Sequence, residues 1–220
     1  MPFVLLIGTA FAIALSGAVM PGPVLFATVR WSAERGRWVG PLIVVGHAAV
    51  EVPLLLAIIL GLGDVMKRPA FLGAVGLAGG AALLVMGALM LRVAPALRLP
   101  QKAQNGGQDA PPGTARIIAA GALTSVSNPY FVFWWATVGL RLLGQAEPLG
   151  SLGYAAFYAG HVSADLLWYG AVSESVHRGR KLLSDHAYRW LVGACAAILL
   201  GFGVFFACQG FALVREALAA

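Results

Sequence analysis

From residue 3 to residue 29 the chain carries no Asp, Glu, His, Lys or Arg. About 20 consecutive apolar residues already match the hydrocarbon thickness of a bilayer, so this run reads as a membrane span. The pattern recurs along the chain. Charge-poor runs cover residues 3–29, 39–63, 70–91, 116–140, 149–172 and 188–213. Hydrophobic residues make up 60% of the sequence and charged residues 11%, against about 25% charged in soluble domains. Such a chain cannot coat a globule with polar groups, which excludes a soluble enzyme. Disorder is excluded as well, because it needs low hydrophobicity and high charge. The expected fold is an all-α membrane protein with six transmembrane helices, with no room for a second, soluble domain.

The net charge of +6 does not imply nucleic-acid binding. Lys and Arg cluster in alternate loops. Arg30, Arg35 and Arg37 follow the first run. Arg92, Arg98, Lys102 and Arg116 flank the third connection, and Arg178, Arg180, Lys181 and Arg189 the fifth. That is eleven on one side, against Lys67, Arg68, Arg141 and Arg215 on the other. The positive-inside rule then puts both termini outside the cytoplasm. The first run has no Lys or Arg before it and exceeds the length of a signal peptide's apolar core, so it reads as a retained span.

The chain also divides internally. Residues 94–114 contain "PQKAQNGGQDAPPG", a Gly-, Pro- and Gln-rich stretch that reads as a cytoplasmic linker. It separates residues 1–93 from 115–220, three spans each. The halves resemble one another. "GAVMPGP" (17–23) answers to "GALTSVSNP" (121–129), and "VGHAAVEVPLLL" (45–56) to "AGHVSADLLWYG" (159–170). Spans 3 and 6 carry the small-residue ladders Gly76/Gly80 and Gly193/Ala197/Gly201, which are ordinary helix-packing positions. Three spans per half force the second half to insert upside down. The expected plan is therefore two inverted three-helix repeats with a site near the midplane.

Asp, Glu, His, Lys and Arg occur in the interiors of only two spans. Span 2 has His47 and Glu51, and span 5 has His161 and Asp165. A spacing of four residues puts each pair on one helix face. Charges inside a bilayer are expensive and face the bundle interior, where they mark pathways or proton relays. The plain alternative is a structural His–carboxylate tie between helices. The second feature is backbone interruption. Pro21-Gly22-Pro23 interrupts span 1 and Asn128-Pro129 interrupts span 4. Proline removes a donor and clashes with the preceding turn, so each helix should break or kink. A half-helix N-terminus at membrane depth suits a carboxylate. Thr124, Ser125 and Ser127 add hydroxyls beside the second break.

Other residues read as packing. Trp134, Trp135, Tyr154, Tyr158, Trp168 and Tyr169 are read as interface anchors or packing residues, or for some of them as cavity lining, which position alone does not decide. Pro53 should kink span 2, and His177 and His186 should be solvated.

"GAVMPGP", "GHAAVEVPLLL" and "SNPYFVFWW" (127–135) together resemble the lysine exporter (LysE/RhtB) translocator family, over nearly the whole chain. The resemblance implies a six-span inner-membrane protein exporting amino acids or related small metabolites, driven by the proton gradient. Pro21, Gly22 and Pro23 match its first-span motif, and Asn128 and Pro129 its fourth-span motif. Glu51 stands where the family commonly has an acid. The matched pair His47 and His161 is a departure.

Two functions compete. In an amino-acid exporter, the substrate carboxylate sits near Gly22 and Asn128. Glu51 or Asp165 holds the ammonium, and the other acid, with His47 or His161, carries the proton. In a divalent-metal exporter, His47, Glu51, His161 and Asp165 are the ligands. A thiol–disulfide carrier is discounted, since Cys195 and Cys208 lie too far apart on one helix to bridge. No nucleophile–base set or cofactor motif appears, so neither an enzyme nor a bound cofactor is expected. The expected partners are a small molecule and lipid, with homo-oligomerisation left open.

Overall fold

The computed structural model describes residues 2–97, 113–179 and 184–219, and every element in them is helical. Helices satisfy every backbone group internally, which the hydrocarbon demands. Ten α-helices follow in order: α1 (Phe3–Ala18), α2 (Pro23–Arg35), α3 (Val39–Ala57), α4 (Gly63–Met66), α5 (Pro69–Val93), α6 (Thr114–Val126), α7 (Pro129–Trp134), α8 (Leu140–Ala146), α9 (Gly150–Gly179) and α10 (Asp185–Ala219). Most of the linker and its basic residues Arg98 and Lys102, with Arg180 and Lys181, lie outside the described residues.

Among the described residues, three helical stretches are long and apolar enough to cross a membrane: Val39–Met66, Pro69–Ala96 and Asp185–Leu218. Two bent pairs raise the number to five if each pair is one crossing. The first is α1 with α2, bent by 77°. Val19 and Met20 donate back to Leu15 and Gly17, closing α1. Gly22 is extended, Pro23 opens α2, and the Gly22 carbonyl accepts from Phe26 N–H at 3.0 Å. The second pair is α6 and the helical stretch from Tyr130, bent by 63°. Here Asn128 caps α7, its Oδ1 accepting from Tyr130 N–H at 3.1 Å. Both proline motifs therefore end one helix and start another.

The expected kink at Pro53 is not the main irregularity of span 2. The helix runs on through Pro53, and the ladder loosens later, in a π turn over Ile58–Leu62 where Gly61 takes φ +117°. Glycine has no Cβ to clash there. A second π turn covers Trp135–Gly139.

Packing pairs α5 with α10, α1 with α9 and α3 with α6, while α9 also touches α2 and α3. The α5–α10 seam is built from small residues, as lipid-embedded helices require for close approach. Gly76 and Gly80 of α5 meet Gly210, Gly203 and Ala207 of α10. The expected ladder on span 6 is on another face: Ala197 and Gly201 are exposed, and nothing lies within 4 Å of where a Gly193 or Gly201 side chain would start. With apolar residues all round α10, composition does not mark the buried face.

Two further close approaches hold the site. A methyl group at Gly46 would sit 1.9 Å from the Ile118 carbonyl oxygen of α6, and one at Gly160 would sit 2.5 Å from that of Ile7 in α1. The glycine before each histidine thus lets a broken helix lie directly against an unbroken one. Apolar clusters gather on either side. One includes Val29, Ile43, Ile117 and Tyr188, another Leu6, Ile58, Phe131 and Trp135, and a third Leu83, Leu199 and Phe206.

Candidate functional site

The three clusters meet at one cleft. His47 and Glu51 enter it from α3, His161 and Asp165 from α9. Each pair lies one helical turn apart, so both members face the same way. Among the described residues these four form one cluster, with a ligand atom of each within 4.8 Å of those of the others. Glu51, His161 and Asp165 are buried, and His47 is half-buried.

Glu51 is the hub. Its Oε1 lies 2.8 Å from His161 Nε2 and 3.1 Å from His47 Nε2, and accepts from Trp135 Nε1–H at 3.2 Å. Tyr158 reaches Oε2 with a long contact of 3.5 Å. Asp165 is treated differently. Its Oδ2 is 3.5 Å from His161 Nε2 and 3.9 Å from His47 Nε2, and has no hydrogen-bond partner. His161 Nδ1 is likewise buried without one.

A second chain of bonds sets the His47 ring. Ser125 Oγ donates to the Gly121 carbonyl at 2.6 Å, which uses its only hydrogen. His47 Nδ1 lies 2.6 Å from that oxygen. The other ring nitrogen faces Glu51 Oε1, so one proton resides between the imidazole and the carboxylate. The arrangement can hold a proton, a ligand ammonium or a metal cation, since it offers carboxylate oxygens and imidazole nitrogens and no fixed cation.

The proline breaks border the same cleft. Pro21, Gly22 and Asn128 line it, and Asn128 Nδ2 lies 3.6 Å from where a Gly22 side chain would start. Pro129 opens α7 behind Asn128. The two breaks are not equivalent. Asn128 occupies the first free N–H of α7, whereas the α2 N-terminus has no side-chain cap. Of the three hydroxyls beside the second break, Ser125 alone joins the cluster. Thr124 donates to the Ala120 carbonyl and Ser127 is exposed.

Four of the aromatics read from sequence as anchors, packing or cavity lining belong here, among them Trp134, whose ring lies 5.0 Å from that of His161. Trp135 is fully buried and bonds Glu51, Tyr158 stacks on the His161 ring at 6.2 Å, and Tyr169 lines the cleft. Their signal in sequence was weak because an indole at an interface and an indole in a site have the same composition. His177 and His186 are exposed, and Cys195 and Cys208 are both free.

A sequence profile of the LysE type translocators matches residues 15–210, a range that contains both breaks and all four ionisable residues. The chain belongs to the LysE type translocator family. It is an exporter by that membership, and its apolar helices are those of a multi-pass membrane protein. It is also similar to "Putative amino acid efflux protein YcgF" of Bacillus subtilis (strain 168), with 26% identity over 197 residues, covering 89% of this chain and 92% of the relative. No solved structure matches this LysE family chain.

Proposed function

We propose that this LysE family protein exports an amino acid or a similar small metabolite across the inner membrane in exchange for protons. The observation that carries the reading is the convergence of His47 and Glu51 from one half with His161 and Asp165 from the other in a single cleft. The amino-acid efflux description of the Bacillus relative supports the substrate class.

Six spans in two inverted repeats are the architecture that fits best. The helix pairing is self-consistent under exchange of the halves: α1 on α9 answers to α6 on α3, and α5 on α10 answers to itself. The close approach at Gly46 answers to that at Gly160. Gly150, with φ +64°, turns the chain between α8 and α9. The thirty residues of α9 extend about 45 Å, enough to cross alone. Both termini lie outside the cytoplasm and residues 94–114 inside it, by the distribution of Lys and Arg.

In the transport cycle, the substrate carboxylate lies at the break formed by Pro21, Gly22 and Pro23, with Asn128 and Pro129 opposite. The uncapped α2 N-terminus supplies partial positive charge. The substrate ammonium approaches Glu51 or Asp165. The remaining acid, with His47 and His161, holds the exchanged proton. Two carboxylates this close favour sharing a cation.

A divalent-metal cargo is the second reading, favoured by the two-histidine, two-carboxylate set. Metal ligands at about 2.0–2.1 Å from a tetrahedral ion stand about 3.3 Å apart. With no ion between them, His161 and Glu51 stand 2.8 Å apart as a hydrogen-bonded pair, the geometry the proton reading uses.

The test uses purified protein in proteoliposomes loaded with amino acids or with Zn²⁺ or Mn²⁺. Amino-acid exit should follow an imposed pH gradient and collapse with a protonophore. Exit indifferent to the gradient would reject antiport, and gradient-driven metal exit without amino-acid exit would establish the second reading.

A further inference from the structure

The chemistry of the cleft is divided. One pole holds the four ionisable residues. The part of the lining that comes from α5 and α10 is apolar, formed by Leu83, Leu199 and Phe202. Leu83 and Leu199 are 1% and 3% exposed, and Phe206 packs with them. The Phe202 ring lies 6.2 Å from that of Tyr130, which continues that lining. No Lys or Arg occurs among the described residues that line the cleft.

A second observation points to the ligand. Asp165 Oδ2 is buried and lacks a hydrogen-bond partner, whereas Glu51 Oε1 already faces three ring nitrogens. A buried carboxylate oxygen is costly until a donor reaches it. An ammonium group supplies that donor.

We propose that α5 and α10 form a side-chain subsite, and that the exported amino acid carries an aliphatic or aromatic side chain. This rests on the amino-acid export reading and specifies its substrate class. With the α-ammonium at Asp165, the side chain turns toward Leu83, Leu199 and Phe202. A lysine or arginine cargo would bury a second charge against carbon, with no acceptor to meet it. A glutamate cargo would find no cation there. A leucine or phenylalanine side chain exchanges water for apolar contact. The third helix of each half thus has a role in selection, beyond its packing seam.

The experiment measures exit of leucine, phenylalanine, alanine, threonine, lysine and glutamate from proteoliposomes containing the full chain. Leucine and phenylalanine should leave with a kcat/KM at least ~10-fold above lysine and glutamate. Phe202→Ala and Leu199→Ala should raise KM for leucine ~10-fold and leave KM for alanine unchanged. Phe202 is half-buried at the cleft, so its variant carries the test even where Leu199→Ala fails to assemble. Preference for lysine, glutamate or threonine would overturn the subsite while amino-acid export stands, as would equal effects of Phe202→Ala on leucine and alanine. Exit of no amino acid would overturn both.

Discussion

The indole N–H of Trp135 donates to Glu51 Oε1 at 3.2 Å, across 84 positions of sequence. It joins the π turn that follows α7, at its first residue, to α3. Such turns are frequent at functional sites. Hydrogen bonds to charged groups contribute about 1.5–3 kcal/mol. Trp135→Phe keeps an apolar ring and removes the donor. The variant should insert normally and lose roughly 10-fold in initial efflux rate, measured in proteoliposomes. Wild-type rates would show that the bond only packs the helix.

The carboxylates separate coupling from binding. Glu51→Gln and Asp165→Asn keep shape and remove charge. Each should fold, and the one that carries the proton should retain substrate exchange while losing pH-driven accumulation. Counterflow and gradient-driven uptake, measured side by side, distinguish the two. Full gradient-driven activity in the double variant would sink both the proton and the metal readings.

The histidines decide between cargoes. In amino-acid export, His47→Ala and His161→Ala should be milder than the acid variants and shift the pH optimum of efflux. In metal export they should be as severe as the acids, because every ligand is needed to complete the shell. The measurement is the ratio of histidine to carboxylate phenotypes in one assay.

Gly46→Ala and Gly160→Ala test the close approaches. Their methyl groups would land 1.9 and 2.5 Å from backbone carbonyls, so a helix must move. Overpacking costs about 1–3 kcal/mol, and both variants should melt at lower temperature in detergent. Gly8→Ala, with nothing within 4 Å, is the control and should melt as wild type. Equal melting of all three would mean that the contacts relax freely.

Orientation is tested by reporter fusion. A fusion near Gln104, outside the described residues, should be active only as a cytoplasmic reporter, since basic residues crowd that side. Periplasmic activity would invert the topology and leave the repeat untouched.

Much of this was legible in the residues. Long apolar runs restrict the backbone to helices, because lipid offers no hydrogen bonds. The proline motifs announced both breaks, because a missing N–H and a ring clash act locally. The i, i+4 spacing put His47 with Glu51 and His161 with Asp165, again a local consequence of helix geometry. Tertiary structure decided the rest. Apolar residues all round α10 conceal which face packs, so the seam falls on Gly203 and Gly210 instead of Gly193 and Gly201. Trp135, Tyr158 and Ser125 joined the site only through the packing of distant helices. The sequence repeats Gly-His-x-x-x-acid almost symmetrically, yet Glu51 collects donors while Asp165 Oδ2 receives none. That asymmetry depends on which donors the fold brings into hydrogen-bonding geometry, and no local pattern encodes it.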